Sequence, residues 1–259
     1  MMNYTPIILS GCALLVSASS HATVHIKHGN VYTNENTWLI GAGLSFGQEL
    51  YRGTENEWIP EVDIGYLGND FSLTSSGLGY RFLGSDTSPI NLSVKVNLSH
   101  SGYEADDSEF LKGMQEREAT YDASLVSDFY TPWGVSSAYI AHDIMGRYKS
   151  YNLGLTQFFP IDMGKITFTP SMSLHYFSKK FTQYYFGIES NEENISRPRY
   201  STDSEIAVDF SYYFSYEFSS KWQIINSTSW VLYGNEIKNS PIISNDHQFY
   251  SSLSAYYYF

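Results

Sequence analysis

Long segments of this chain alternate between apolar and polar residues with a period of two. Between Ile90 and Leu98 one face carries Ile, Leu and Val, and the opposite face carries Asn, Ser and Lys. The segments 166–176 and 205–217 repeat this pattern, and weaker examples occupy 37–47, 119–129, 134–143, 150–159 and 221–232. Since none of them shows a helical period, the sequence predicts an all-β protein.

The length of these segments distinguishes between two all-β architectures. Strands of a soluble sandwich usually run about 5–6 residues, whereas a strand that crosses a membrane needs about 9–11. The segments here match the longer class, and ionisable residues such as Lys95 and Asp209 lie in the middle of their polar faces. Tyr, Trp and Phe cluster near the segment ends, as in the aromatic girdles of outer-membrane barrels. The sequence therefore predicts an antiparallel transmembrane β-barrel of the outer membrane.

The connections between the segments fall into two classes. Short ones are predicted at 83–88, 131–134, 160–164 and 218–220, and long polar ones at 103–118, 178–203 and 234–247. Bacterial barrels have short periplasmic turns and long outer loops. Counting back from a periplasmic Phe259 places every long connection outside and every short one inside, so the order of the connections supports the barrel.

The number of strands depends on the N-terminal third. With 37–47, 57–67 and 70–82 as strands the total is eleven, and bacterial barrels take an even number. We expect about twelve, with 24–33 as the further strand; ten is the alternative, if two segments do not span. Pro170 removes a ladder hydrogen bond from its strand, so we expect a bulge or irregularity there.

The first 22 residues differ from the rest of the chain. They carry no charged side chain, an apolar run from Ile7 to Val16, and a small-x-small exit ending at Ala22. This pattern predicts a signal peptide over 1–22, cleaved after Ala22, and a single barrel domain over 23–259. A lipoprotein cleavage box ending at Cys12 is the alternative, but too few apolar residues precede that cysteine. Cys12 is the only cysteine, so the mature chain has no disulfide or thiolate chemistry.

The charge balance excludes one class of partner. The chain has 27 acidic and 15 basic residues and a net charge of −12, whereas nucleic-acid binding requires concentrated Lys and Arg. Two acidic clusters fall in predicted outer loops: Glu104, Asp106, Asp107 and Glu109, and Glu189, Glu192 and Glu193. We interpret them as solvated loop charges; sharing divalent cations with lipopolysaccharide is the alternative hypothesis.

Histidines provide the few candidates for chemistry. His100 lies between Ser99 and Ser101, and His142 precedes Asp143. Neighbours in a strand point to opposite faces, which puts His100 outside and its serines inside, so neither pair can act as nucleophile and base. His25 and His28 have no Asp, Glu or Cys beside them at metal-ligand spacing. We therefore predict no enzyme activity, no catalytic, cofactor-binding or metal-binding residue, and no cofactor.

The C-terminal stretch SSLSAYYYF alternates up to its last residue, Phe259. A barrel must pair its last strand with its first, because no open sheet edge survives in lipid. We expect Tyr257 and Phe259 to face lipid and Tyr256 and Tyr258 to face the lumen. A terminal Phe on such a strand also resembles the signal that the barrel-assembly machinery reads.

Several stretches together resemble the MipA/OmpV family of outer-membrane proteins. They are GAGLSFG (41–47), DIGYLGNDF with SSGLGYRF (63–82), REATYDASL (117–125), ITFTPSMSLHYFSKKFTQYYFGI (166–188), SRPRYS (196–201) and NSPIISNDHQFYSSLSAYYYF (239–259). The resemblance covers nearly all of the mature chain. It implies a non-enzymatic barrel in the outer membrane of a Gram-negative cell, embedded in lipid and lipopolysaccharide.

The resemblance also implies a role and partners. The founding member resembles a scaffold that joins a lytic transglycosylase to a penicillin-binding protein in peptidoglycan synthesis. We therefore expect an interaction protein of the cell envelope. A small solute channel and a surface adhesin or antigen are the alternatives. An open interior is favoured by polar lumen residues such as Lys95, Asp122, Asp128, Asp209 and Glu217, whereas pairing of their opposite charges would plug a barrel of this size.

Overall fold

The computed structural model describes residues 24–259. The predicted signal peptide, residues 1–22, lies outside this range. Within the described residues, no helix is long and apolar enough to cross a membrane.

The chain forms a short N-terminal hairpin followed by a closed barrel. The hairpin pairs β1 (His25–Lys27) with β2 (Asn30–Tyr32). The later strands are β3 (Thr37–Gly47), β4 (Glu57–Leu67), β5 (Phe71–Thr74), β6 (Gly77–Leu83), β7 (Ile90–His100), β8 (Thr120–Thr131), β9 (Gly134–Asp143), β10 (Tyr151–Phe158), β11 (Ile161–Asp162), β12 (Ile166–Phe177), β13 (Glu205–Ser219), β14 (Trp222–Leu232) and β15 (His247–Tyr258). Two short helices, α1 (Lys179–Phe186) and α2 (Asn235–Lys238), lie in long loops.

Twelve of these strands, β3–β10 and β12–β15, make the barrel wall. Each pairs antiparallel with its neighbours in the wall, and β15 pairs with β3 to close the ring. β11 adds only two residues beside β12. The structure therefore confirms the predicted all-β, antiparallel barrel of twelve strands.

The wall keeps the alternation predicted from the sequence. In β7, Asn91 and Ser93 face inward and are each 1% exposed, whereas Ile90 and Val94 are 45% and 48% exposed. An apolar outer face and a polar inner face are what a membrane-spanning barrel requires.

The assignment of the twelfth strand to 24–33 was wrong. That segment forms the β1–β2 hairpin, which pairs only with itself and not with the wall. The twelfth strand comes instead from 70–82, which divides at Ser75 and Ser76 into β5 and β6. These two strands are short because the chain turns back before it reaches the other end of the barrel.

The expected bulge at Pro170 is absent from this part of the wall. Pro170 pairs with Tyr212 in an unbroken register between β12 and β13. On its other side, β10 ends at Phe158 and β11 resumes at Ile161 in the same register. The strand opposite Pro170 is thus interrupted at Phe159 and Pro160 without a shift of register, so the predicted irregularity is present as a break and not as a bulge.

The C-terminal strand has the orientation predicted from its alternation. Phe259 is 69% exposed on the outer face, while Tyr258 is 5% exposed and packs inside. The last residue also joins the ring closure, because its amide donates to the carbonyl of Trp38 and its carbonyl accepts from Thr37 Oγ1, each at 3.1 Å.

Candidate functional site

The N-terminal hairpin lies inside the barrel, near the end that carries the short turns. Its Ile26 is 1% exposed and packs against Val135 and Phe158 of the wall. On the other side of the hairpin, Tyr32 packs against a cluster that contains Leu39 and Tyr258. Burial of apolar side chains on two sides anchors the hairpin in the lumen.

Hydrogen bonds to distant strands fix the position of the hairpin. The Gly29 amide donates to Asp128 Oδ1 at 3.2 Å, and Lys95 Nζ donates to Asn30 Oδ1 at 3.0 Å. Thr33 Oγ1 donates to Gln223 Oε1 at 2.9 Å. Lys95 and Asp128, two charged lumen residues of the wall, therefore hydrogen-bond the hairpin.

The turn of the hairpin depends on two residues with positive φ, His28 at 54° and Gly29 at 70°. Such a pair is what a two-residue type I′ turn requires. His28 is 1% exposed and lies against Gly79, where a Cβ would come 2.4 Å from His28 Cδ2. Burial, together with the charge of Lys95, lowers the pKa of His28 to about 4. His28 is therefore neutral at pH 7.

Ion pairs hold the base of the hairpin to two short turns of the wall. Lys27 contacts Glu35 and lies 3.4 Å from Asp86, and Arg81 lies 2.7 Å from both Asp86 and Asp70. Burial alone would raise the pKa of Asp86, but the hydrogen bond from Arg81 and the charges of Lys27 and Arg81 lower it.

The same base brings three potential metal ligands together. His25, Glu35 and Asp86 lie within 4.8 Å of one another, while His28 is at the far end of the hairpin. Lys27 already pairs with both carboxylates, and Arg81 pairs with Asp86. Since a cation would have to displace these charges, the cluster is an ion-pair network.

The opposite end of the barrel is covered by the long loops. Their apolar side chains form one buried cluster, here called the loop cap: Leu50, Tyr51, Tyr103, Leu111, Met114, Tyr148, Phe181, Tyr185, Phe186, Ile188, Ile237, Ile242 and Ile243. These residues come from five separate connections, and α1 and α2 contribute to them. The long loops are therefore packed against one another rather than extended into solvent.

One acidic residue of the outer loops is part of this packing, which corrects its interpretation as a solvated charge. The Glu192 side chain is 0% exposed and pairs with Arg117 at 2.8 Å. Arg197, also buried, donates to the Glu192 carbonyl and to the carbonyl of Lys112. The first acidic cluster, by contrast, is exposed at all four of its positions, and so is Glu193.

The two histidine candidates occupy different environments. A bulge between Leu98 and His100 turns His100 inward, so its predicted outward orientation was wrong. His100 stacks on Tyr185 at 3.9 Å between ring centroids and accepts a hydrogen bond from the Gly102 amide. His142 is exposed while Asp143 is buried and accepts from Thr120 Oγ1, as expected for neighbours on opposite faces.

Two cavities inside the described part of the barrel border the hairpin. The larger, here called the lumenal cavity, measures about 490 Å³ and the smaller about 340 Å³. Ser, Thr and Tyr side chains predominate in the lining of the larger one, together with Glu61 and Asp63. The sequence predicted a polar lumen, but the hairpin, the loop cap and these cavities depend on contacts between distant segments.

The comparisons with known proteins agree with this architecture. The family model described as MltA-interacting protein MipA matches residues 40–259. The outer membrane protein OmpV of Vibrio cholerae is 29% identical over 95% of this chain and 96% of its own length. The MltA-interacting protein of Escherichia coli is 23% identical over 81% of this chain and 85% of its own.

A solved structure described as the CymD monoaromatic hydrocarbon channel aligns with 87% of this chain and 89% of its own, with 9% identity and a TM-score of 0.42. Relatives named as outer membrane proteins and a barrel with an apolar outer face agree on the location of this protein, which is the outer membrane. The family model extends over most of the chain, including nearly the whole barrel wall, and the chain therefore belongs to the MltA-interacting protein MipA family.

Proposed function

We propose that this protein is a non-enzymatic interaction protein of the outer membrane that connects the barrel to the peptidoglycan-synthesis machinery. One observation carries the proposal: the lumen is filled at one end by the N-terminal hairpin and covered at the other by the loop cap. A lumen that is occupied at both ends favours a scaffold over an open pore.

The name of the Escherichia coli relative suggests the partner. That protein is called an MltA-interacting protein, and we propose that this chain binds a corresponding lytic transglycosylase, with a penicillin-binding protein as a second partner. Short turns face the periplasm in bacterial barrels. The proposed docking face is therefore the short-turn end, which includes the exposed residues Ser85, Asp162 and Lys221.

Site-specific photo-crosslinking tests this proposal in intact cells. A photoreactive amino acid at Asp162 should crosslink to a murein enzyme that mass spectrometry identifies in envelope extracts. The matched control is Asn191, an exposed position in a long loop at the opposite end, which should give no such product. If no murein enzyme is captured from Asp162, Ser85 or Lys221, the scaffold role is contradicted.

A solute channel is the second candidate, because the lumen between the two closures is polar. The lumenal cavity is lined mainly by hydroxyl-bearing side chains, and the hairpin is a small element that pairs only with itself. A channel would require release of the hairpin and rearrangement of the loop cap. Conductance in planar bilayers distinguishes this candidate from the scaffold.

A further inference from the structure

The barrel wall has an opening at the position of its two shortest strands. β4 pairs with β5 only through Tyr66 and Leu67. β6 pairs with β7 as far as Val96, and β7 continues beyond this residue toward the long loops. Within the described chain, residues 57–64 of β4 and 97–100 of β7 therefore have no strand on the sides that face each other. At normal strand spacing, the two intervening strands set β4 and β7 about 14 Å apart at the end of this gap where β5 and β6 begin.

This opening is bounded on all sides, and we call it the lateral window. Its lower edge is the turn at Ser75 and Ser76, and its sides are 57–64 and 97–100. Contacts between two long loops close its upper edge. Ser108 Oγ donates to the Arg52 carbonyl at 2.8 Å, and the Arg52 guanidinium lies 4.8 Å from the Phe110 ring centroid.

The window opens toward lipid. Outward-facing side chains on both sides are apolar and strongly exposed: Val62 is 73%, Ile64 66% and Leu98 50% exposed. Ile59 points toward the lumen by alternation, yet it is 48% exposed, because no wall strand covers it. Unpaired strand edges are costly in hydrocarbon, so a polar group that enters the window would relieve that cost.

The lumenal cavity lies directly behind the window. Its lining includes Glu61 and Asp63 from the β4 edge and Thr74, Ser75 and Ser76 from the lower edge. Its volume of about 490 Å³ is in the range of small-molecule sites. Thr169 lines the cavity from the opposite wall and is 1% exposed. Its hydroxyl makes no hydrogen bond within the described chain. A buried hydroxyl without a partner in a cavity lining calls for an ordered water or a ligand atom at that place.

The charges of the cavity select the ligand. Glu61 accepts from Tyr250 Oη at 2.5 Å, and Asp63 accepts from the Ser75 amide at 2.9 Å and from Tyr256 Oη at 3.4 Å. No Lys, Arg or His is among the described residues that line the cavity. Two carboxylates held only by neutral donors, beside Tyr rings, favour a cation with apolar substituents.

We propose that the lumenal cavity binds the ammonium head group of a cationic amphiphile, which enters from the membrane through the lateral window. The head group contacts Glu61 and Asp63, and the alkyl chain remains between β4 and β7 on the lipid side. This binding is separate from that of the proposed murein partners, since Ser85, Asp162 and Lys221 of the short-turn face are not among the described residues that line the cavity.

Photoaffinity labelling of the full chain in dodecyl maltoside micelles tests the proposal. The probe is dodecyltrimethylammonium with a diazirine in its alkyl chain, compared with dodecyl sulfate and dodecyl maltoside probes of the same design. The cationic probe should label peptides that contain 57–64 and 73–78, and unlabelled dodecyltrimethylammonium should compete. Labelling of the variant E61Q/D63N by the cationic probe should be at least tenfold weaker than that of the wild type. The control Glu193→Gln, which changes an exposed loop residue, should be labelled as the wild type is.

Heat-dependent gel mobility confirms that each variant is folded. Equal labelling by the three head groups, unchanged labelling of E61Q/D63N, or no labelling of the window by the cationic probe would each overturn the proposal.

A second measurement tests the route of entry. The cysteine of Ser76→Cys, introduced together with Cys12→Ser, is modified with a bulky maleimide at the lower edge of the window. This group should slow labelling by the cationic probe at least tenfold. The exposed control Ser85→Cys at the short-turn end, carrying the same group, should leave the rate unchanged. An unaltered rate for the Ser76 conjugate would show that the amphiphile does not enter through the window.

Discussion

Arg117, Glu192 and Arg197 place buried charge in loops that the sequence presents as polar and acidic. Glu192 accepts from Arg117 through both carboxylate oxygens and from the backbone amides of Gln115 and Glu189. A buried carboxylate is tolerated only when such partners replace its water. Glu192 is therefore a structural residue of the loop cap.

We predict that Glu192→Gln destabilises the loop cap by about 3–5 kcal/mol, because it leaves Arg117 buried without its counter-charge. The matched control is Glu109→Gln. Glu109 pairs with Lys112, but their side chains are 87% and 57% exposed, so its loss should have a much smaller effect on stability. Native-state hydrogen exchange of the loop amides measures both values, and equal effects would contradict the account.

His28 makes docking of the hairpin dependent on pH. Its ordinary pKa is 6.5, and burial lowers it to about 4 in the docked hairpin. The released hairpin therefore binds a proton more readily, and docking weakens as the pH falls from 6.5 toward 4. The charged groups that face it are Lys27, Asp70, Arg81, Lys95 and Asp128.

Hydrogen exchange of the hairpin amides, corrected for intrinsic rates, should therefore show weaker protection at pH 4.5 than at pH 7. His28→Asn removes this titrating group and keeps a residue that tolerates positive φ. Its protection should vary less over this range, and the remaining variation belongs to His25, whose pKa burial also lowers. A wild-type hairpin with the same protection at both pH values would rule out the role of His28.

Alternation predicted the individual wall strands well, because lipid outside and polar groups inside impose it on every strand. It did not reveal the division of 70–82 into β5 and β6. A signal was present: the apolar positions are odd at Phe71 and Leu73 and even at Leu78 and Tyr80. This change of phase marks the turn, and the positive φ of 118° at Gly77 follows it.

The hairpin of β1 and β2 could not be assigned from its pattern. A plug strand inside a barrel and a wall strand both have period two, and only the pairing partners distinguish them. The sequence therefore predicted the right number of strands for the wrong reason.

The closing strand carries a prediction about assembly. Phe259 hydrogen-bonds β3 at the ring closure and exposes its ring to lipid. We predict that deletion of Phe259 strongly reduces the amount of folded protein in the outer membrane, and that Tyr258→Phe, which keeps the buried ring, does not. Heat-modifiable protein in membrane fractions is the readout; normal levels after the deletion would refute the assembly signal.

The sequence alone predicted the barrel wall, but it did not predict the elements that fill and cover the lumen. The wall follows from local alternation, whereas the loop cap joins residues as far apart as Leu50 and Ile243. Contacts of that kind leave no periodic pattern in a single sequence. The same holds for the lumenal cavity, whose shape depends on where the hairpin lies.

The hairpin and the loop cap close the barrel along its axis. Single-channel recording of the intact protein in planar bilayers at neutral pH tests this closure. The intact protein should insert into the bilayer without a steady open conductance. A stable, ohmic open state in the intact protein would contradict it.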